Sequence, residues 1–350
     1  MTMANLVLAI ETSCDDTCAA LVSGDGAVLS NVISSQGIHD AYGGVVPEIA
    51  SRHHLELANA VVDDALRRAG VTLDDVDLVA VTQGPGLVGA LLVGVATAKA
   101  IAAARGLPLA PVDHLQGHVA ANFLRVGGSP ESLQSSPGRT THTILEPPFV
   151  CLLASGGHTL LARVEDHASF EVLGRTLDDA AGEAFDKGAR LLGLPFPGGP
   201  ALEKLARGGD PKAFAFPVAR GLDGLDFSFA GVKTSLLYRV RDLGPEASKE
   251  HAADLAASYQ HAIVEALAER CERALLQTGG DRLAIGGGVA ANGPLRTRLE
   301  ALGATLGIPP RELCTDNAAM IASAARFVEP LAFPDYLALD AYASGERALA

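Results

Sequence analysis

The stretch LVLAIETSCDDTCAALV, residues 6–22, carries the pattern that most constrains the fold. It has two apolar runs of strand length around a polar turn, and residues 150–164, VCLLASGGHTLLARV, repeat that order. Residues 78–105 and 283–302 repeat a second pattern, in which a short apolar strand leads through a glycine-containing turn into a helix. Both halves of the chain have the two patterns in the same order, which predicts two related α/β lobes.

The segments around these repeats predict where the lobes begin and end. Residues 126–148 are rich in glycine and proline and interrupt the periodicity, which indicates an exposed loop or an insertion between lobes. We therefore expect an N-terminal lobe at 1–125, a C-terminal lobe with a helical insertion at 149–330, and a tail at 331–350. Because α/β folds bind ligands at the carboxyl ends of their strands, we expect the ligand in a cleft between the lobes.

Helical spacing of apolar residues predicts the other long elements. Gly70 follows the first of these helices and is a plausible C-cap. Helices are expected at about 48–69, 179–193, 198–208, 231–242, 250–277, 289–302 and 317–328.

The composition indicates a soluble globular protein. With 350 residues, 48% of them hydrophobic and 19% charged, the chain is long enough for two lobes and can bury a large core. The five cysteines are odd in number and irregularly spaced, which predicts reduced thiols in the cytoplasm. The N-terminus has no basic region, and the longest apolar run, Leu87–Ala98, stops at Lys99. We therefore expect no signal peptide and no membrane span.

The net charge of −14 argues against an extended nucleic-acid surface, but the charge is unevenly distributed. Residues 1–80 carry 12 acidic and 3 basic side chains, whereas residues 203–241 carry 7 basic and 4 acidic ones. A polyanion that binds this chain is therefore expected to meet the second region. The acidic first region is better suited to a protein partner.

Two glycine-rich turns that follow buried strands are candidate anion sites. Ser155-Gly156-Gly157 presents backbone N–H groups with no side chains in the way, and that geometry suits a phosphate. An ordinary hairpin turn explains this sequence equally well when it is taken alone. Gly286–Gly288 forms a second such turn, and the pair favours a function in binding.

The spacing Gly84-x-Gly86-x-x-Gly89 fits the dinucleotide-binding fingerprint, and Asp113 follows the next strand where a ribose-binding acid would stand. We reject dinucleotide binding because this unit is not the first βαβ unit of the chain. The histidines that follow Asp113 also give its neighbourhood another role. A tight turn or an anion contact is expected instead.

His114 and His118 lie four residues apart and therefore share one face of a predicted helix. Such pairs chelate divalent metals when a carboxylate or similar ligand completes the site. Two histidines on a helix surface are the alternative interpretation. The pair resembles a zinc-protease motif, but Leu115 and Gln116 offer no general-base glutamate, so hydrolysis by that mechanism lacks its base.

Three acidic residues, Glu11, Asp15 and Asp16, cluster after the first predicted strand. Carboxylates there can hold a metal-bound water or orient a nucleophile. A solvated turn is the alternative, which the adjacent pair Asp15 and Asp16 fits well.

Ten segments, in the expected order from about residue 6 to 328, together resemble one family. It is the tRNA N6-adenosine threonylcarbamoyltransferase family, once called O-sialoglycoprotein endopeptidases. The ten segments are Ala9–Asp15 (AIETSCD), Tyr42–Arg52 (YGGVVPEIASR), Gln83–Gly86 (QGPG), His114–His118 (HLQGH), Ser155–His158 (SGGH), Gly182–Lys187 (GEAFDK), Pro197–Pro200 (PGGP), Phe227–Thr234 (FSFAGVKT), Gly286–Asn292 (GGGVAAN) and Thr315–Asn317 (TDN).

The resemblance implies an actin-like, ATPase-type fold of two duplicated ribonuclease-H-like lobes with a central ligand cleft. It implies transfer of a threonylcarbamoyl group from threonylcarbamoyl-adenylate to N6 of the adenosine beside the anticodon, in tRNAs that read codons beginning with adenine. It also implies one divalent metal ion per subunit, usually iron, with zinc as the alternative. Bacterial members work with a paralogous actin-like subunit and a small ATPase.

The resemblance also assigns roles by motif position. Asp16 stands where the family usually has Glu, and Glu203 stands where some members place an adenylate-contacting Asp, so Glu203 is left out of the site. The implied metal ligands are His114, His118 and Asp316. The implied adenylate-binding residues are Leu153, Ala154, Ser155, Gly156, Gly157, Asp186, Gly199 and Asn292. The candidate catalytic residues are Glu11, Asp15 and Asp16, with Asp15 as the candidate base.

Three other functions remain as alternatives. A nucleotide-dependent kinase or ATPase of the same fold would release ADP. A metalloprotease would need the base that the histidine motif lacks. A non-catalytic scaffold fits poorly with the intact set His114, His118 and Asp316.

Overall fold

The computed structural model describes residues 4–42, 44–126, 144–219 and 221–343, and it contains two five-stranded sheets. Most of the predicted insertion at 126–148 and the end of the predicted tail at 331–350 lie outside the described residues. Helices pack against each sheet, and each sheet has its own cluster of buried aliphatic side chains. The predicted α/β class is therefore confirmed.

The first sheet has the strand order β3-β2-β1-β4-β5. Its strands are β1 (Leu6–Glu11), β2 (Asp16–Ser23), β3 (Val28–Ser35), β4 (Leu78–Gly84) and β5 (Leu109–Asp113). The central strand β1 pairs antiparallel with β2 and parallel with β4, and β4 pairs parallel with β5. All six residues of β1 are buried, which explains its continuous apolar run. The carboxyl ends of β1, β4 and β5 lie at one edge of the sheet.

The second sheet has the order β10-β9-β6-β7-β8, which repeats the first. Its strands are β6 (Phe149–Ala154), β7 (Thr159–Val164), β8 (Phe170–Arg175), β9 (Arg282–Gly286) and β10 (Thr305–Gly307). Strand β6 takes the place of β1, since it pairs antiparallel with β7 and parallel with β9. The duplication predicted from the repeated segments is thereby confirmed.

Helices connect the strands of both sheets. Gly70 ends the first helix in the left-handed conformation at φ 70°, as predicted for its C-cap. The described α-helices are α1 (Pro47–Ala69), α2 (Val88–Arg105), α3 (His114–Ala120), α4 (Ala181–Leu191), α5 (Gly198–Ala206), α6 (Ala230–Glu250), α7 (Ala252–Thr278), α8 (Gly293–Glu300) and α9 (Ala318–Ala325).

Helix α2 is long and apolar enough to cross a membrane, but it packs on a sheet. It contacts α1, β4 and β1, and its backbone approaches the turn after β1 closely. A Cβ at Gly94 would collide with the side chain of Thr12, and the Thr12 hydroxyl donates to the carbonyl of Ala90 at 2.9 Å. Helix α2 therefore packs one face on the first unit and leaves residues such as Val88 and Leu92 exposed.

The predicted helix at 289–302 is wrong in one respect. It is divided into a 3₁₀ turn, Gly288–Ala291, and helix α8. Asn292 separates the two because its side chain accepts from the N–H of Leu295 and caps α8, with Pro294 in the first turn. Strands β8 and β10 were not predicted, since β8 is partly exposed and β10 has only three residues.

The chain forms two compact units whose limits differ from the predicted lobe boundaries. The first unit comprises 1–146, 166–169 and 315–350, and the second comprises 147–165 and 170–314. The last helix, α9, therefore belongs with the first unit and not with the lobe predicted at 149–330. Helix α9 belongs to the first unit because it packs against α3, β1 and β2. The predicted boundaries stay a proposal about the extent of the repeated lobes.

Candidate functional site

The first unit brings together the three residues expected to bind metal. His114 and His118 lie on α3, and Asp316 lies two residues before α9. Asp316 Oδ1 lies 3.3 Å from His118 Nε2 and 3.6 Å from His114 Nε2. One ligand atom from each of the three residues fits within a span of 4.8 Å. Residues about 200 apart in sequence thus form one compact donor set.

Close packing of two short helices creates this arrangement. A Cβ at Gly117 would lie 2.7 Å from Ile321 Cδ1, so a larger residue would have to displace the end of that side chain for α3 to approach α9 this closely. The side chain of Asn317 caps α9 by accepting from the N–H of Met320, which fixes the backbone beside Asp316. Gly117 within the histidine motif is therefore part of the construction of the site.

The donor set suits a divalent cation such as iron or zinc. His118 is buried, and neither of its ring nitrogens has a hydrogen-bond partner among the described residues. Burial alone would lower the pKa of His114, but the carboxylates of Asp316 and Glu11 outweigh burial and raise it to about 9. A bound cation would satisfy the nitrogens of an imidazole that makes no hydrogen bond to the described residues and would balance the neighbouring carboxylates.

Glu11 is placed to orient His114 and not to contact a ligand directly. Its carboxylate is fully buried and accepts short hydrogen bonds from the N–H of Ser13 and the hydroxyl of Thr82. His114 Nδ1 lies 3.1 Å from Glu11 Oε2, which turns Nε2 towards Asp316. Burial would raise the pKa of Glu11, but the charge and hydrogen bond of His114 lower it. In many metal sites, the ring nitrogen of a histidine that does not bind the metal makes a hydrogen bond to such a carboxylate.

Asp16 and Asp15 lie beside this network, on β2 and in the turn before it. Burial raises the pKa of Asp16 to about 6; the carboxylates of Asp316, Asp15 and Glu11 add to this, whereas a hydrogen bond from Ser35 opposes it. Asp16 can therefore exchange a proton near neutral pH. The structure thus places all three predicted catalytic acids in the same unit as the metal ligands.

His54 holds this acidic turn in place, and sequence reasoning missed it. Its Nε2 donates to the carbonyl of Cys14 at 3.0 Å, and its Nδ1 accepts from the hydroxyl of Thr17 at 2.8 Å. Burial lowers the pKa of His54, which keeps the imidazole neutral for this pair of bonds. The only signal in the sequence is a histidine on the buried face of α1, and a histidine there is usually structural.

The rejection of dinucleotide binding agrees with the position of Asp113. Its Oδ1 accepts from the N–H groups of Leu115 and Gln116 at 2.8 and 3.1 Å and so caps α3. The turn before α2 is tight, because a Cβ at Gly86 would lie 2.6 Å from the carbonyl oxygen of Ser13. The glycines of this turn thus serve close packing.

The second unit contains the first glycine turn, between β6 and β7. Ser155 anchors it, since its N–H donates to the carbonyl of His158 at 2.8 Å and its own carbonyl accepts from Gly182 at 3.0 Å. Gly156 and Gly157 are exposed, and their N–H groups have no partner among the described residues. Both positions would have open space around a Cβ. The turn offers two free backbone donors to an anion.

The second glycine turn packs against the first. A Cβ at Gly287 would collide with the backbone of Ala154, and its φ of 85° also favours glycine. Leu153, which precedes Ala154, pairs with Gly286 across the parallel strands β6 and β9. The two turns predicted as anion sites therefore lie side by side at the carboxyl ends of neighbouring strands.

Asp186 joins α4 to the start of α5. Its Oδ1 accepts from the N–H of Gly198 at 2.8 Å, and the N–H of Gly199 also contributes. Burial raises the pKa of Asp186, and these two N–H groups oppose the rise. The predicted binding residues Asp186 and Gly199 are therefore neighbours, with the carboxylate fixing the backbone of the glycine pair.

Asn292 lies beside a cavity of about 620 Å³. Its Nδ2 donates to Gln260 Oε1 at 2.9 Å and to Glu203 Oε2 at 3.2 Å, and both of those residues line the cavity. Its Oδ1 is used by the cap of α8. Asn292 thus lies behind the cavity wall and holds Glu203 and Gln260, which line it. Gln260 was missed in the sequence because it lies in an unremarked stretch of α7.

The sequence model of one family, tRNA N6-adenosine threonylcarbamoyltransferase, matches residues 27–323. The chain belongs to this family. A member from Clostridium perfringens is 50% identical over 328 residues, which is 92% of this chain and 92% of that protein. A member of the same name from Symbiobacterium thermophilum is 52% identical over 92% of this chain and 91% of its own length.

A solved structure with the same architecture supports the fold. Full-length HypF in its phosphate- and nucleotide-bound form has a TM-score of 0.57 at 14% identity, covering 93% of this chain and 47% of that one. Similarity at this identity bears on the fold alone. With the two sheets of equal strand order, it makes the chain a member of the actin-like ATPase fold, as the resemblance implied.

Proposed function

We propose that this chain transfers a threonylcarbamoyl group from threonylcarbamoyl-adenylate to N6 of the adenosine beside the anticodon, in tRNAs that read codons beginning with adenine. A C–N bond forms between the adenosine nitrogen and the carbamoyl carbon, the C–O bond to the phosphate breaks, AMP leaves, and N6 gives up a proton. The set of two buried histidines, His114 and His118, and the partly buried Asp316 is the observation that carries the proposal, because it unites two motifs of the family pattern that lie about 200 residues apart.

The second unit is proposed to bind the adenylate. The free N–H groups of Gly156 and Gly157 are suited to its phosphate. The cavity beside Asn292 has the volume of a small-molecule pocket, and Glu203 and Gln260 offer it polar groups. Because an adenine N6 is a weak nucleophile, holding the donor in a fixed orientation should supply much of the rate.

The first unit is proposed to hold the metal ion and to accept the proton. His114, His118 and Asp316 would bind it, with Glu11 orienting His114, and iron is proposed over zinc on the family resemblance. A bound cation there would supply positive charge that stabilises negative charge formed in the transfer. Asp15 is the proposed base, and Asp16, whose pKa is about 6, is the other candidate.

The reaction is tested by nucleoside analysis of tRNA from a strain depleted of this protein. We expect the threonylcarbamoyl-adenosine peak to disappear on depletion and to return when the wild-type gene is supplied. The Asp316→Asn variant should not restore it. A peak that persists through depletion would contradict the proposal, and phosphate transfer with ADP release by the purified protein would favour the kinase alternative.

A surface on α6 is proposed to contact the tRNA. Tyr238 is half exposed, and the Arg241 guanidinium lies 4.8 Å from its ring centroid. Arg239 and Tyr238 line an open cavity of about 570 Å³ together with hydroxyl side chains and the carboxylate of Asp242, which pairs with Arg241 at 3.2 Å on the exposed surface. Cations, hydroxyls and an exposed aromatic ring suit an RNA backbone and its bases. Lys233, also expected here from its position in the sequence, is instead paired with Asp179 at 2.5 Å.

Charge reversal tests this surface. The double variant Arg239→Glu/Arg241→Glu should weaken tRNA binding by the isolated chain in a filter-binding titration. If each arginine contacts one phosphate, the slope of log affinity against log salt should fall by roughly 1.4–1.8. Adenylate affinity should be unchanged, because neither arginine lines the cavity beside Asn292.

The matched control reverses two exposed arginines in the acidic region, Arg67→Glu/Arg68→Glu, whose side chains are 68% and 62% exposed. It changes the net charge equally and should leave tRNA binding nearly unchanged. Equal losses in both double variants would mean that total charge, and not this surface, governs binding. Tight, salt-insensitive binding that survives the first variant would place the tRNA elsewhere.

The chain is proposed to work in the cytoplasm with a paralogous actin-like subunit and a small ATPase. Helices α1 and α2 offer an apolar face for a protein partner, with Leu55 72% exposed and Leu92 43% exposed. The two helices touch where Gly89 faces Ser51, one turn before Leu55. Exposed leucines beside a helix–helix contact are typical of protein interfaces.

A further inference from the structure

The last described residues of the chain, Asp340–Ala343, lie against the turn that follows β4, and we call them the C-terminal strap. Gln83 Nε2 donates to the carbonyl of Asp340 at 2.8 Å. The N–H of Tyr342 donates back to the carbonyl of Gln83 at 3.2 Å. The strap follows residue 323, the last residue matched by the family model, so the family pattern assigns it no role.

Tyr342 connects the strap to the helix that carries the two histidines. Its ring packs on Gly84, where a Cβ would lie 2.8 Å from the ring edge. Its hydroxyl donates to Asp113 Oδ2 at 2.6 Å. The other oxygen of Asp113 caps α3 through the N–H groups of Leu115 and Gln116. The tyrosine thus fixes the carboxylate that fixes the start of α3.

A second path runs from the strap to the opposite side of His114. The N–H of Gly86 donates to the carbonyl of Ala343 at 3.2 Å. The next residue, Leu87, donates its N–H to the carbonyl of Ser13 at 2.8 Å. Ser13 Oγ lies 3.2 Å from His114 Nδ1. The strap therefore contacts the helix cap directly and is linked to the turn after β1 through Gly86 and Leu87.

The strap is held firmly from its other end. Tyr336 is fully buried and belongs to the core of the first sheet. Lys99 Nζ donates to the carbonyls of Leu337 and Leu339 at 2.9 and 2.5 Å. Leu331 pairs with Leu109 of β5. These anchors precede Asp340, so the strap can be removed without removing them.

We propose that the C-terminal strap sets the position of α3, and that Tyr342 is a positioning residue for the metal centre. The inference rests on the metal site proposed above. Helix α3 has only seven residues, and so short a helix depends strongly on its cap and its packing. Contacts that fix the position of a helix carrying metal-binding histidines change the metal affinity although they do not touch the metal.

The test uses Tyr342→Phe, which removes the hydroxyl and keeps the ring on Gly84. We expect the dissociation constant for Zn²⁺, measured by competition with a chromophoric chelator, to rise about three- to tenfold, the effect of one hydrogen bond. The visible absorption of the Co²⁺-loaded full-length protein should shift, because the ligand geometry changes. Truncation after Leu339 should change both measurements in the same direction and by more.

The matched control is Tyr259→Phe, which removes a hydroxyl and its 2.8 Å hydrogen bond to the carbonyl of Ala184 in the second unit and should leave Zn²⁺ affinity unchanged. Zn²⁺ affinity and Co²⁺ spectra that match the wild type in both Tyr342→Phe and the truncation would overturn the strap's role, even if thermal stability falls. A wild-type protein that binds neither metal would overturn the strap's role together with the metal site. Neither measurement needs tRNA or the threonylcarbamoyl donor. A failure of the strap's role can therefore be distinguished from a failure of the proposed reaction.

Discussion

His118→Ala and Asp316→Asn should each abolish bound metal and transferase activity while leaving the fold intact. Each variant removes one of three protein ligands, and changes to outer-layer partners alone already cost about 10–100-fold in metal affinity. The His118 ring makes no hydrogen bond to the described residues, so its removal leaves no hydrogen-bonding group among them without its partner. Asp316→Asn keeps the shape of the side chain and serves as the gentler variant. Metal content by mass spectrometry and thermal unfolding of the metal-free proteins provide the measurements.

The control is His53→Ala, a histidine on α1 outside the donor set. It should retain full metal content. Full occupancy in His118→Ala and Asp316→Asn would remove the metal assignment. A large fall in the unfolding temperature of both metal-free variants would instead mean that these residues serve stability.

Asp186→Ala should weaken adenylate binding by roughly 5- to 150-fold, measured by calorimetry with AMP or ATP. The estimate corresponds to about 1–3 kcal/mol for a lost hydrogen bond to a charged group. Removing the carboxylate frees the N–H of Gly198 and loosens the backbone of Gly199 at the start of α5. The loss should appear in affinity and not in metal content, since all metal ligands lie in the first unit.

Asp281→Ala is the matched control, because that side chain is 90% exposed in the same unit. Its nucleotide affinity should equal that of the wild type. If Asp186→Ala also binds as the wild type does, the adenylate does not use the α4–α5 junction, and the cavity beside Asn292 becomes the remaining candidate for the nucleotide.

Much of the fold could be predicted because the same pattern of strands and turns occurs twice in the sequence. The runs at 6–22 and 150–164 became β1–β2 and β6–β7, and both sheets have the same strand order. Local patterns were insufficient where long-range packing decides. Helix α9 was assigned to the lobe in which it stands in sequence, but it packs on the first sheet. The apolar pattern of residues 317–328 predicts a helix but does not indicate on which of the two sheets that helix packs.

The residues of the candidate site were predictable by motif, but their connections were not. Sequence position alone could not reveal that Glu11 stands behind His114, or that Asn292 is occupied by a helix cap and two side chains. These contacts join residues far apart in sequence: Glu11 and His114 are separated by 103 positions, and Asn292 lies 32 positions from Gln260 and 89 from Glu203. The strap's contact with Asp113 is of the same kind.

The equivalent turns of the two repeats differ in the charge that they present: carboxylates lie at the first, and backbone N–H donors lie at the second. Three acids surround the first turn, Glu11 at the end of β1, Asp15 in the turn and Asp16 at the start of β2, whereas the turn after β6 carries no acid and presents bare N–H groups at Gly156 and Gly157. The acids of the first repeat act on the metal centre through His114, whereas the N–H groups of the second repeat suit an anion, although the strand order of the two sheets is the same. The same point of the strand order thus carries negative charge in one unit and free hydrogen-bond donors in the other, so exchanging the two segments should remove both Zn²⁺ and AMP binding.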